Sequence, residues 1–262
     1  MRHLAAIIFS LGFGGVAAAD TVTAVLEPAR SVELRSTVNG RVAGLDLKEG
    51  ETVAAGLVVA EVDARVQKAR VDLAEVIARA DGASVRAERL FDQAVTLRDR
   101  VANAHNKGAA QDWELLAAEQ AVALAEADRQ VAQDDMLRRQ AELALEKATL
   151  AEFDITAPFD AVVLEVMVEQ GEIIDTGTVL LEIGTIEQLT ATAFVPLDWS
   201  KRLKRDSGLD ATTEFGETVA VEVDAIDPRV DPASQTVRVV FSVSNDQKTL
   251  LPGTTLNIEA PK

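Results

Sequence analysis

The sequence predicts a multidomain, mainly β protein interrupted by one long α-helical coiled-coil hairpin. Three observations predict it. The stretch Ala64–Leu150 contains no proline and keeps a 3-then-4 apolar rhythm. The segments on either side of it repeat one another at an offset of 121 residues. The C-terminal third alternates or clusters β-branched residues between glycine-containing turns.

Composition narrows the function. The 262 residues carry 26 Lys+Arg against 43 Asp+Glu, a net charge of −17. Such a chain lacks the basic surface that nucleic-acid phosphates need. Zero cysteines remove disulfides, thiolate nucleophiles, zinc ribbons, iron–sulfur clusters and lipid attachment through cysteine. Of the two histidines, His3 lies in the leader described next, so His105 is the only imidazole left for catalysis. The expectation is a protein that is no enzyme and holds no metal or cofactor.

The first element is a leader. Met1-Arg2-His3 is basic, Leu4–Val16 is apolar, and Ala17-Ala18-Ala19 offers a small-x-small cleavage site before Asp20. This is a signal-peptide layout with cleavage after Ala19, and its apolar run is too short to span a bilayer. The expected destination is the periplasm.

Residues 20–63 hold the first copy of the repeat. In it Val42, Gly50, Glu51, Gly56, Val58 and Glu61 face Val163, Gly171, Glu172, Gly177, Val179 and Glu182 of the second copy, in residues 151–184. Each copy reads as a strand, a Gly-Glu turn, an apolar pair, a second glycine turn and a strand. Gly50, Gly56, Gly171 and Gly177 are expected at positive φ. Glu51 and Glu172 mimic paired catalytic carboxylates, but their place beside turn glycines suits hydrogen-bonded turns. One copy packs on the other, because neither small sheet can bury both faces alone.

Residues 64–150 form the hairpin. Its first arm, Ala64–Val101, carries Val66, Ala69, Leu73, Val76, Ala80, Ala83, Ala87, Leu90, Ala94, Leu97 and Val101 as a seam. The return arm, Gln111–Leu150, carries Ala117, Ala121, Leu124, Ala127 and Val131, slips phase at Asp134-Asp135, and resumes with Leu137, Ala141, Ala144 and Ala148. Each arm is about 60 Å long at 1.5 Å per residue. Arg98 and Arg100 close the first helix and Asp112 and Glu114 open the second, as helix dipoles favour. The tip, Ala102 to Gln111, includes Asn103, His105, Asn106, Lys107 and Gly108, polar or small residues free of any seam role.

The second copy opens with Ile155-Thr156-Ala157-Pro158-Phe159-Asp160-Ala161-Val162-Val163. A half-motif interrupted by a helical hairpin and completed in this way resembles the periplasmic adaptor (membrane fusion) proteins of bacterial efflux pumps, the HlyD/RND family. Their second half-motif typically runs Ala-Pro-Phe-Asp-Gly; here Ala161 stands in place of the glycine. Asp227-Pro228-Arg229-Val230-Asp231-Pro232-Ala233-Ser234-Gln235-Thr236-Val237-Arg238-Val239, with Asn245-Asp246 and Leu251-Pro252-Gly253, looks like the family's β-barrel motif. The resemblance implies a split lipoyl-like (barrel-sandwich hybrid) domain and a small β-barrel in residues 185–262. It further implies an inner-membrane RND transporter or an ABC exporter as partner, an outer-membrane channel of the TolC type, and a homo-oligomer, commonly a hexamer. The hairpin tip with Arg98 is the expected channel contact, although of the Arg, Leu, Ser docking pattern only Arg98 agrees and Ala102 replaces the Leu. Gln170, beside Gly171, is a candidate for lining the channel. The membrane-proximal domain of larger members is expected to be absent. A lipoyl or biotin carrier shares the half-motif fold, but the hairpin replaces the turn that must hold the modifiable lysine, and Lys48 sits in the other loop.

The last segment reads independently as a small β domain, with strands over Leu189–Val195, Glu217–Ile226, Thr236–Val243 and Thr254–Glu259. A short helix is expected from Asp198 to Arg205. Its Lys201, Arg202, Lys204 and Arg205 form the densest basic cluster of the chain, a candidate contact with an acidic transporter surface or anionic headgroups. Residues 64–150 hold 13 basic and 15 acidic groups, so the negative charge concentrates in the β segments.

Overall fold

The computed structural model describes residues 21–261. The leader therefore lies outside the described residues. The chain divides into two compact units, one of the residues up to Val32, Asp160–Leu164 and Glu182 onward, the other of Glu33–Phe159 and Glu165–Leu181.

The first unit contains a closed six-stranded barrel. Its strands are β1 (Thr21–Pro28), β10 (Gln188–Pro196), β11 (Gly208–Thr213), β12 (Thr218–Asp231), β13 (Thr236–Ser244) and β14 (Thr255–Glu259), in the order β1-β10-β13-β12-β11-β14. Alternation sends every second side chain inward: Leu189, Ala191, Ala193 and Val195 from β10 meet Val237, Val239, Phe241 and Val243 from β13. Leu26, Leu189, Phe241, Leu256 and Ile258 are fully buried.

Two expectations are corrected here. Thr21–Pro28 was expected in the first half-motif; instead β1 closes the barrel, pairing with β10 and β14. Its alternation buries Ala24 and Leu26, and closure leaves no open edge. Second, the helix expected over 198–205 is only α4 (Leu197–Ser200), which buries Trp199 against the barrel core.

The two half-motifs build two four-stranded sheets, and each sheet takes strands from both copies. One has β2 (Ser31–Arg35), β9 (Val179–Gly184), β7 (Ala161–Val166) and β4 (Thr52–Val53), in that order. The other has β6 (Asp154–Thr156), β5 (Val58–Val62), β3 (Gly40–Gly44) and β8 (Ile173–Ile174). The repeat is visible bond by bond. Gly56 N–H donates to Ala157 O at 2.7 Å and Gly177 N–H to Ser36 O at 2.8 Å, the same pair shifted by 121 residues. Ala157 N–H donates to Leu57 O and Ser36 N–H to Thr178 O, both at 2.9 Å. Position Ala161 corresponds to Gly40, where an added Cβ would sit 2.5 Å from Val62 Cγ1. In the second copy a Cβ is accommodated, and Ala161 is buried.

Three helices separate the half-motifs: α1 (Arg65–Ala78), α2 (Gly82–Asn106) and α3 (Asp112–Ala151). The first arm is thus two helices with a break at Arg79–Asp81, where one uninterrupted helix was expected. The bounds Ala64 and Leu150 shift by one residue each.

Candidate functional site: the helical arms and their tip

The helices α1 and α2 return along α3, as Gln67–Glu146, Glu88–Arg129 and His105–Asp112 contacts show. The covered face of α3 reads Ala118, Val122, Ala125, Arg129, Ala132, Met136, Arg139, Leu143, Glu146 and Leu150, alternately four and three residues apart without a slip. The facing positions are Gln67, Val71, Ala74 and Ala78 in α1, then Ser84, Ala87, Phe91, Ala94, Arg98, Val101 and His105 in α2.

This corrects the expected seam. Ala87, Ala94 and Val101 lie on the covered side, but Val66, Leu73, Val76, Leu90 and Leu97 are exposed, as are Leu124, Val131 and Leu137 on α3. The phase slip expected at Asp134-Asp135 does not occur. The reason is that polar side chains occupy the true seam and satisfy one another. Gln67 Nε2 donates to Glu146 Oε2 at 2.7 Å and to Glu146 O at 3.0 Å. The Arg129 guanidinium lies 4.2 Å from the Phe91 ring centroid and pairs with Glu126 at 2.7 Å. A reading by apolar identity passes over such positions.

At the tip, α2 runs on to Asn106, so Ala102, Asn103, His105 and Asn106 are helical instead of loop. Gly108 adopts φ 71° and its N–H donates to His105 O at 2.8 Å, while Ala109 N–H reaches Ala104 O at 2.9 Å. This pair of bonds is a Schellman closure, which needs a left-handed residue at Gly108. The connecting loop is only Lys107–Gln111. Glu114 then accepts the Gln111 N–H at 2.7 Å, half of a capping box opening α3. Asn103, Asn106, Lys107 and Gly108 are exposed; Ala102 and His105 are half-buried. His105 Nε2 lies 2.7 Å from Asp112 Oδ1, tying the two helix ends together. Arg98 sits on the covered side, two turns below the loop, and donates to Asp99 Oδ1 at 2.7 Å. The sequence reading missed Trp113, which is 68% exposed in the first turn of α3. Its signal was an aromatic residue immediately after the tip.

The turn residues behave as their chemistry requires. Gly50, Gly56, Gly171 and Gly177 have φ of 83°, 80°, 93° and 90°. Glu51 accepts the Lys48 N–H at 3.1 Å and Glu172 accepts the Glu169 N–H at 3.0 Å, so both carboxylates close their own turns. Gln170 is exposed, and its Nε2 donates to Ala43 O at 2.8 Å. The basic cluster is dispersed: Lys201 pairs with Asp198, Arg205 with Asp224, and Arg202 donates to Pro261 O at 2.6 Å. Lys204 is exposed. Among the described residues no group of His, Cys, Asp or Glu is placed to hold a metal ion, and no helix is long and apolar enough to cross a membrane.

Residues 30–185, which hold both half-motifs and the arms between them, match the family model described as RND MFP, barrel-sandwich hybrid domain. The chain belongs to the membrane fusion protein family of periplasmic adaptors. Residues 192–261 of this adaptor match the CusB-like β-barrel domain. It is 26% identical over 230 residues to nodulation protein NolF of Rhizobium meliloti (strain 1021), covering 87% of its own chain and 59% of that relative. The adaptor thus spans about three-fifths of the relative's length. Among solved structures it resembles MacA from Actinobacillus actinomycetemcomitans, with a TM-score of 0.80, 19% identity and coverage of 92% and 78%. It also resembles the membrane fusion protein Spr0693 from Streptococcus pneumoniae R6, with a TM-score of 0.66, 15% identity and coverage of 92% and 98%. At these identities the likeness concerns the fold.

Proposed function

We propose that this protein is the periplasmic adaptor of a tripartite efflux pump, coupling an inner-membrane RND-type transporter to an outer-membrane channel of the TolC type for small-molecule export. The observation that carries this reading is the order of parts in one chain: half-motif, helical arms, half-motif and barrel, matching both adaptor modules in sequence. The geometry of these parts suits a linker. The two half-motifs act as one lipoyl-like domain, and the arms present the tip to the channel. Asn103, Asn106, Lys107 and Gly108 make that contact, with His105 and Ala102 supporting them and Arg98 bracing the helix below. Gln170 faces the transport path, and Lys204 is the basic residue of its cluster best placed to meet the transporter.

The working form is a ring, a hexamer in the assembled pump. Trp113, Leu116, Leu124 and Val131 support lateral packing of neighbouring arms, since all four are more than half exposed on α3.

Deletion of the gene should sensitise cells to dyes, detergents and antibiotics, and photo-cross-linkers at Asn106 or Lys107 should capture an outer-membrane channel. Unchanged sensitivity together with no channel adduct would reject the adaptor reading. The inner-membrane protein that co-purifies decides between transporter classes: an ATPase-bearing partner would replace the RND assignment with an ABC exporter.

A further inference from the structure

The break in the first arm falls just before Gly82, which lowers helix propensity without forbidding a continuous helix. Arg79-Ala80-Asp81-Gly82 contains no proline, and Arg79 and Asp81 keep right-handed helical backbones, at φ −79°, ψ −12° and φ −105°, ψ −3°. An added Cβ on Gly82 would meet nothing within 4 Å. What crosses the break is a side chain from the other arm. Arg139 Nη1 donates to Ala80 O at 2.7 Å, in the break itself, and lies 3.4 Å from Ile77 O, which also accepts the Ala80 N–H at 3.2 Å. Its Nε donates to Asp135 O at 3.2 Å, while its buried Nη2 has no hydrogen-bond partner.

The break changes the phase of the arm. Continued in register, the covered face of α1 (Gln67, Val71, Ala74, Ala78) would next reach Asp81, Val85 and Glu88, all exposed; α2 instead covers Ser84, Ala87 and Phe91. By contrast, Val66, Ala69, Leu73, Val76, Ala80, Ala83, Ala87 and Leu90 keep one uninterrupted rhythm straight through the break. In α1 that rhythm is the more apolar face, and it points away from α3: Val66 is 71%, Leu73 61% and Val76 68% exposed. A cleft of about 390 Å³ lies beside it, lined by Arg70, Leu73, Ala74, Ile77 and Arg139.

We propose that Arg139 is a register clasp: it holds the first arm broken, and its release lets α1 and α2 join into one helix that turns the Val66–Leu73–Val76 face onto α3. Two competing apolar stripes on one arm supply the two states, and one charged seam residue selects between them, as polar seam residues select register in coiled coils. A change of state would rotate α1 at the base of the arms without unfolding α3.

Hydrogen exchange on the full-length protein tests this. In the clasped form the first amides of α2, from Asp81 to Ser84, lack intrahelical acceptors and exchange fast. Arg139→Met keeps the packing stem and removes the donors. It is expected to slow exchange at these amides by roughly tenfold, more so when combined with Gly82→Ala, while Arg139→Lys restores fast exchange. In a Gln67→Cys/Glu146→Cys background, clean because the chain has no native cysteine, disulfide yield should fall with Arg139→Met. Unchanged exchange at 81–84 with unchanged disulfide yield would overturn the proposal, as would loss of protection along all of α1. Protection of the Val66–Val76 face that appears only as protein concentration rises would assign that face to a second copy and likewise overturn it.

Discussion

The Gly56 N–H donates to the Ala157 carbonyl at 2.7 Å, although 101 residues separate the two along the chain. Its counterpart, Gly177 to Ser36, closes the same contact from the other direction. The half-motifs therefore hold one another with backbone bonds, and the helical arms are an insertion between complementary partners. Replacing residues 64–150 by a short turn should leave a folded β protein. Dispersed amide signals would bear this out; a protease-sensitive, molten product would refute it.

Turn glycines set the second prediction. Gly50 and Gly171 sit at φ 83° and 93° with open space where a Cβ would be, so a side chain there meets backbone strain and no clash. Gly50→Val and Gly171→Val should each lower stability by about 1–3 kcal/mol, measured by urea unfolding. A change within error at both positions would show that the turns relax without cost.

Phe241 is the largest fully buried side chain of the barrel. Phe241→Ala should cost about 3–5 kcal/mol, because the closed barrel cannot collapse around the void. Thermal unfolding that lowers the barrel transition confirms the value; a shift of less than about 1 kcal/mol would contradict the packing described.

Two Asp–Arg pairs predict an acid-sensitive contribution. Arg65 donates to Asp63, and Arg229 to Asp227, holding each carboxyl at about 2, below the ordinary 3.8. A carboxylate with a lowered folded-state pKa stabilises above its unfolded value and loses that contribution as pH falls through about 2. The urea midpoint difference between wild type and Asp63→Asn should therefore be present at pH 5 and fade toward pH 2. It should be small and shrink in high salt, because Arg65 is 88% exposed at its side chain. A difference that grows on acidification would reverse the assignment.

Tip substitutions test the channel contact. Charge reversal at Lys107 and bulky replacements at Asn106 should abolish efflux while export and thermal stability stay at wild-type levels. Gly108 needs a separate reading, since its positive φ makes Gly108→Val a folding variant as well. Full drug resistance in the Asn106 and Lys107 variants would reduce the arms to a spacer.

Much of the architecture was legible in sequence. The 121-residue offset, the four turn glycines and the proline-free stretch are local signals, each produced by a backbone requirement of a single residue or by periodicity. Four of the barrel strands were equally legible through alternation. β11 was not, and Thr21–Pro28 was placed with the wrong partner, because adjacency in sequence says nothing about which sheet edge a strand will close. At the tip, the polar cluster was visible but Trp113 was passed over, and the extent of α2 depended on a Schellman closure that no single residue announces.

By itself, the sequence determined the order of parts, the repeat and where the chain must turn, since these follow from glycine φ, proline exclusion and alternation within a few residues. Only the tertiary structure decided which stripe of each arm is covered, and it chose Gln67, Arg129, Arg139 and Glu146 over Leu73, Leu90 and Leu124. The physical reason is that a buried polar side chain becomes acceptable once its partner is in place. That partner lies on the facing arm: Glu146 for Gln67, Phe91 and Glu88 for Arg129, and the Ala80 carbonyl in the break for Arg139.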